Sequence, residues 1–169
     1  MLQVYTGNGK GKTTAAFGQA LRATGHGWHV LIVQFMKGYP DCGEVIAAKG
    51  IENLEVVQTG TPAFVEKGNP SSDDLAGARR GLKTAREAIS SGNYQMIVLD
   101  ELNVAVEYGL LSVEDALDLV AKCPDDLELV FTGRYARKEI IDRAGLVSEV
   151  REIKHPAQQG LLNRKGIDY

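Results

Sequence analysis

Thr6-Gly7-Asn8-Gly9-Lys10-Gly11-Lys12-Thr13-Thr14 lies between a strand-like segment, Leu2-Gln3-Val4-Tyr5, and a helical candidate, Ala15-Ala16-Phe17-Gly18-Gln19-Ala20-Leu21. A strand, a glycine-rich turn and a helix in that order form the context of a P-loop. Glycines at positions 7, 9 and 11 let the backbone approach phosphate oxygens and turn several N–H groups inward, while the helix N-terminus adds partial positive charge. Lys12 supplies a full charge, Thr13 is placed to offer a hydroxyl to Mg²⁺, and Asn8 and Thr14 complete the cradle. The usual motif has glycine where this chain has Thr6, with its own glycine one residue later. The bland alternative is a ligand-free glycine-rich turn. Against it, the three glycines, Gly-Lys-Thr and the strand context coincide. Lys10 either touches phosphate or is solvated.

Outward from this loop, β-rich apolar runs recur at 2–5, 30–34, 54–59, 96–99, 127–132 and 147–153, most with a helical candidate between them. That alternation predicts βαβ units, and the continuous apolar character of Met96-Ile97-Val98-Leu99 predicts strands buried on both faces. The fold class is therefore α/β: a P-loop NTPase-like three-layer fold with a mainly parallel central sheet of about six strands. One helix begins near Asp73, whose carboxylate is a candidate cap, and carries Leu75, Ala78, Leu82, Ala85 and Ile89 on one stripe. Another starts at Ser112, which has capping-box spacing to Asp115, with Pro124 marking its end. Residues 60–70 read as a loop, and 156–169 as a tail of weak periodicity.

Met96-Ile97-Val98-Leu99-Asp100-Glu101 has the form of a Walker B element, an apolar strand ending in acid. Carboxylates at the carboxyl edge of a parallel sheet sit where open α/β folds bind ligands. Asp100 is a candidate Mg²⁺ ligand, directly or through water, and Glu101 either a second acidic contact or, in a hydrolase, a group orienting water. The alternative is a strand that merely ends in charged turn residues. Arg134 follows the strand at 127–132, and Arg151, Lys154 and His155 follow the last one; each either neutralises phosphate, binds substrate carboxamides or is solvated. His26 and His29 flank a turn at Gly27-Trp28.

The 169 residues fit one domain, 1–169, on the size prior. Lys and Arg total 19 against 22 Asp and Glu, a net charge of −3, which excludes the broad basic field of a general nucleic-acid binder. Cys42 and Cys123 have neither metal-ligand spacing nor disulfide density and read as free thiols. No apolar run reaches the roughly 18 residues of a membrane span, and no basic leader precedes the first strand, so a cytoplasmic protein without membrane contact is expected. The residues alone thus reach an Mg²⁺- and ATP-binding protein and leave kinase, NTPase and transferase open, together with a binding module of negligible chemistry.

The ordered series of motifs goes further. Val4 to Gly18, Arg22-Ala23, Gly25-His26-Gly27, Val33-Gln34-Phe35, Lys37-Gly38, Gly43-Glu44 and Val98-Leu99-Asp100-Glu101-Leu102 resemble the ATP:corrinoid adenosyltransferases of the CobA/BtuR type. Thr132-Gly133-Arg134, Ser148-Glu149-Val150-Arg151, Lys154-His155 and Gly166-Ile167-Asp168-Tyr169 continue the likeness in the same order to the end of the chain. Thr-Gly-Asn-Gly-Lys-Gly-Lys-Thr-Thr is that family's own form of the loop. The resemblance implies transfer of the 5′-deoxyadenosyl group from ATP to the cobalt of a reduced corrinoid, with release of triphosphate. It implies ATP, Mg²⁺ and corrinoid at the site, a homodimer, and an electron-donating flavoprotein as partner. By the same analogy Arg22 is a nucleotide contact. Two departures stand out. Family members carry an extension before the first strand, whereas here that strand begins at once. They also place aromatic side chains, one of them Trp, in the loop aligned with 60–68 to displace the corrinoid's lower ligand; here Phe64 is its one aromatic, either serving that purpose with Val65 or anchoring the loop in the core.

Overall fold

The structure, a computed structural model, describes residues 1–161 and 164–168. Six strands form its centre: β1 (Leu2–Thr6), β2 (Val30–Gln34), β3 (Leu54–Gln58), β4 (Met96–Asp100), β5 (Glu128–Thr132) and β6 (Leu146–Glu149). They make one sheet in the order β3-β2-β4-β5-β1-β6, every neighbouring pair parallel. Helices α1 (Lys12–Thr24), α2 (Gly43–Ala48), α3 (Ser72–Ser91), α4 (Leu102–Glu107), α5 (Val113–Ala121) and α6 (Lys138–Ile141) cover it.

Strand pleat divides the apolar residues between two cores. Leu31, Val33, Ile97, Leu99, Leu129 and Phe131 face one way, onto α3, α4 and α5. Val30, Ile32, Met96, Val98 and Val130 face the other, onto Ala16 and Ala20 of α1 and Ala48 of α2. Both faces of the middle strands are therefore dry, as the unbroken apolar runs required. Fully buried Phe35 and Phe131 are each worth about 1.5–3 kcal/mol in transfer from water.

Helix α3 shows how local sequence sets an element. Ala78, Leu82, Ala85 and Ile89 are buried along its stripe while Arg79, Arg80 and Lys83 stay exposed. Its cap is Ser71 rather than Asp73: the Ser71 hydroxyl accepts from the Asp74 N–H at 3.1 Å, and the Asp74 carboxylate accepts from the Ser71 N–H at 3.0 Å. The reciprocal pair satisfies donors that Asp73, exposed inside the first turn, leaves alone. Helix α5 follows the predicted pattern, with the Ser112–Asp115 capping box in place, and ends at Ala121, ahead of Pro124. Strand β6 is shorter than the apolar run 147–153: after Glu149 the chain leaves the sheet to cross the glycine-rich loop, where Gly9 N–H donates to the Val150 carbonyl at 2.7 Å. Residues 60–70 form a loop. In the tail a 3₁₀ turn spans Pro156–Gln159, and Tyr169, the last residue of the terminal motif, lies outside the described residues. Cys42 and Cys123 are free thiols. Among the described residues no helix is long and apolar enough to cross a membrane.

Candidate active site

The site lies at the carboxyl edge of the sheet, where β1 runs into its glycine-rich loop and β4 ends in Asp100. Strands β1 and β4 both pair with β5, so their ends flank Thr132. That arrangement joins loop and acid through one carboxylate. Asp100 Oδ1 accepts from the Thr13 hydroxyl at 2.9 Å and from the Thr132 hydroxyl at 2.7 Å. Its Oδ2 accepts from Gln34 Nε2 at 3.0 Å and from Lys37 Nζ at 2.8 Å. Asp100 is wholly buried, and burial pushes its carboxyl up. The Lys37 ammonium, with hydrogen bonds from Lys37, Thr132 and Thr13, outweighs that burial and holds the group below the ordinary carboxylate range.

Glu101 sits beside it in different surroundings. Burial, reinforced by the Asp100 charge, pushes its carboxyl up, against the opposing charges of Lys37, Lys12 and Arg134. Its backbone is left-handed, φ 63°, and its N–H donates to the Thr132 hydroxyl at 3.0 Å. Met36 after β2 and Tyr135 after β5 are left-handed too, at φ 57° and 63°. Non-glycine residues held there cost about 1–3 kcal/mol each and cluster at functional edges.

The loop joins β1 to α1 and is also packed. Gly11 takes φ 116°, a region that disfavours any side chain. Gly9 is glycine for a second reason: a Cβ there would lie 2.8 Å from the carbonyls of Val150 and Arg151, which cross directly above. Lys12 is buried, and its ammonium folds back to donate to the Gly9 carbonyl at 2.6 Å. Burial lowers its pKa, opposed by Glu101 and Asp100. Asn8, Lys10 and Thr14 are exposed along the loop, and Lys10 pairs with Asp168 of the tail at 3.3 Å. Backbone and tail bonds from Arg164, together with Lys10, hold that carboxyl down at about 2.

Lys12, Thr13, Asp100 and Glu101 are thus brought together, and exposed Arg134 lies close enough for its charge to act on both Lys12 and Glu101. Arg22 is not: it is exposed in the last turn of α1, ten residues after Lys12, or about 15 Å along the helix axis. Phe64 is 93% exposed, so it does not anchor its loop in the core; half-buried Val65 packs there instead. The loop is held from its other end. Lys67 Nζ donates to Glu107 at 2.7 Å and stands over the rings of Tyr108 and Tyr135, and Arg137 reaches the same glutamate at 2.9 Å. His155 caps the 3₁₀ turn, its Nδ1 accepting from the Ala157 N–H.

Sequence reasoning missed Gln34 and Lys37 as members of the site. Both fall in segments that carry the family resemblance, Val33-Gln34-Phe35 and Lys37-Gly38, but their place at Asp100 follows only from β2 neighbouring β4.

The donors suit a hard divalent cation. The Thr13 hydroxyl and the Asp100 carboxylate are oxygen ligands, and a cation, the Lys37 ammonium, already sits against both, 3.1 Å from Thr13 Oγ1.

Sheet, loop and acid-ended strand define an α/β protein of P-loop NTPase-like architecture. Within that class the chain is specific: the model of the family ATP:corrinoid adenosyltransferase BtuR/CobO/CobP matches residues 1–169. The chain is 38% identical over 168 residues to the corrinoid adenosyltransferase of Escherichia coli strain K12, covering 98% of this chain and 84% of that protein. Corrinoid adenosyltransferase CobA of Salmonella typhimurium strain LT2 gives the same identity and coverage, 38%, 98% and 84%. The corrinoid adenosyltransferase of Pseudomonas aeruginosa is 32% identical over 169 residues, spanning 100% of this chain and 83% of its own length. The chain belongs to the ATP:corrinoid adenosyltransferase family.

Proposed function

We propose that this enzyme transfers the 5′-deoxyadenosyl group of ATP to the cobalt of a reduced corrinoid and releases triphosphate. The observation that carries the reading is the Thr13–Asp100 hydrogen bond, which makes one site of phosphate loop and acidic strand in a chain matching the family throughout. Co(I) is itself the nucleophile, so the protein needs no Ser, Cys or His nucleophile. Its electron pair forms the Co–C5′ bond as the C5′–O bond breaks, and that bond's electrons leave with triphosphate.

The protein's work is position and charge. Lys12 releases the Gly9 carbonyl and pairs with the triphosphate, joined by the N–H groups at the start of α1. Thr13 and Asp100 would hold Mg²⁺, with Glu101 as a second acidic contact, and the ion would supply positive charge against the leaving triphosphate. Arg134 adds a cation from the loop after β5. Phe64, exposed on a loop tethered through Lys67, supplies an apolar face to the corrinoid's lower side and, with Val65, takes the place of the aromatic side chains usual in the family. The reading takes 1–169 as one domain, cytoplasmic and homodimeric, with a flavoprotein delivering the electron.

The test is anaerobic incubation of the protein with Mg·ATP and chemically reduced cob(I)alamin, following the corrin spectrum and assaying triphosphate. Adenosylcobalamin and triphosphate in equal amounts are expected. Cleavage of ATP to ADP and phosphate, with or without corrinoid, would instead assign the chain to the ATPases or kinases and Glu101 to water positioning.

A further inference from the structure

Lys37 stands between the two oxygens assigned above to a metal. Its ammonium is 2.8 Å from Asp100 Oδ2 and 3.1 Å from Thr13 Oγ1, on a side chain carried by the loop after β2. An ionised carboxylate at a fully buried position must be paired, and Asp100 is paired to capacity: its roughly four lone-pair sites receive Thr13, Thr132, Gln34 and Lys37. A further cation can bind there only by displacing one of these donors. Three are fixed. Thr132 lies in β5 and holds the Glu101 N–H, Gln34 lies in β2 and accepts from Gln58 at 2.9 Å, and Thr13 lies in the first turn of α1. Lys37 alone among the four reaches Asp100 on a four-carbon stem from a loop, and its side chain keeps 23% exposure, so it has a way out.

We propose that Lys37 is a built-in counter-cation that keeps divalent metal off Asp100 and yields the position when metal arrives with triphosphate. Two cations against one buried carboxylate repel each other, whereas the triphosphate brings enough negative charge to hold both. Metal and nucleotide then enter as a unit, and Lys37 is a positioning residue for that step. The inference rests on the assignment of Thr13 and Asp100 to metal.

The test measures Mn²⁺ binding by electron paramagnetic resonance on the full chain, first without nucleotide. Wild type and Lys37→Arg, which retains the charge, should bind Mn²⁺ weakly. Lys37→Met should bind it about tenfold more tightly or better, as expected when a like charge leaves a buried carboxylate. Adding Asp100→Asn to Lys37→Met should abolish the gain. Lys37→Gln, which still donates to Asp100, serves as the neutral variant should Lys37→Met fail to fold. With ATP present, the single Lys37 variants should all bind Mn²⁺, and Asp100→Asn should weaken that binding. If the neutral variants bind Mn²⁺ no more tightly than wild type while Asp100→Asn still weakens Mn²⁺ binding with ATP, the metal site stands and the role of Lys37 falls. If Asp100→Asn leaves Mn²⁺ binding with ATP untouched, the metal assignment itself fails, and Lys37 loses its role with it.

Discussion

Lys12 and Gly9 show how two neighbours in one motif answer to different demands. Lys12 has its ammonium on its own loop's carbonyl, so removing it breaks one buried hydrogen bond and the packing of its stem. Lys12→Ala should therefore still fold, with a modestly lower thermal midpoint, while adenosylation falls roughly 10³-fold, the scale of losing a preorganised charge at a leaving group. Near-normal turnover would remove Lys12 from the mechanism. Gly9 answers to packing as well as to phosphate, because the chain leaving β6 passes over it. Gly9→Ala should cost about 1–3 kcal/mol by urea titration, the usual penalty of forcing atoms into filled space. An unchanged urea midpoint would show that the 150–151 crossing gives way freely. The phosphate side of this was legible at sequence level, since strand, glycines and Gly-Lys-Thr are contiguous. The packing side was not: it depends on residues about 140 positions downstream, and the run 147–153 reads as continuous strand until the hydrogen bond from Gly9 to Val150 ends it.

Helix α3 carries the same lesson at the scale of an element. Its apolar stripe was readable because burial follows the helical period, yet its start was misread by two residues: Ser71 and Asp73 both have capping chemistry, and only the reciprocal Ser71–Asp74 pair closes a box. Ser71→Ala should cost about 1 kcal/mol. The Ser71 hydroxyl, its N–H and the Thr61 hydroxyl together hold the Asp74 carboxyl below its ordinary value of 3.8. A carboxyl lowered by folding stabilises the native state above its unfolded pKa, and that contribution disappears as pH falls through the lower, folded pKa. The stability difference between wild type and Asp74→Asn should accordingly be full near neutrality and shrink below about pH 3.8; a difference independent of pH would show that the charge plays no part. Farther along, Gly77 reverses the usual propensity rule. Alanine is worth about 1 kcal/mol over glycine in an exposed helix interior. Here a Cβ would collide with the Thr59 carbonyl, which lies directly against the helix. Gly77→Ala should thus destabilise, and a gain in thermal midpoint would mean that α3 can move off the Thr59 turn at little cost.

Across the whole molecule, the strand order decides what the site contains. A single sequence shows that strands alternate with helices but not which strands are neighbours. The order β3-β2-β4-β5-β1-β6 is what sets Gln34 and Lys37 beside Asp100 and puts Thr132 between loop and acid. Arg22 stands apart from this cluster, because the rise of α1 carries it away from the loop. The same edge gathers the loops after β3, β4 and β5 around Glu107: Lys67 and Arg137 share its carboxylate, and Tyr108 and Tyr135 flank Lys67. This cluster fixes one end of the 60–70 loop and leaves Phe64 in solvent, an arrangement with no use in the core, because an aromatic ring 93% exposed contributes almost nothing to folding. Phe64→Ala should therefore leave stability within about 0.5 kcal/mol of wild type. If the ring meets the corrinoid's lower face, its loss should fall unevenly on the reaction. Turnover of chemically pre-reduced Co(I) corrinoid should be largely retained, since the nucleophile is already made, while turnover from Co(II) corrinoid with a reducing flavoprotein should drop. Equal losses from both starting states would show that Phe64 contributes binding alone, and no loss from either would shift the corrinoid contact to Val65 or Tyr135.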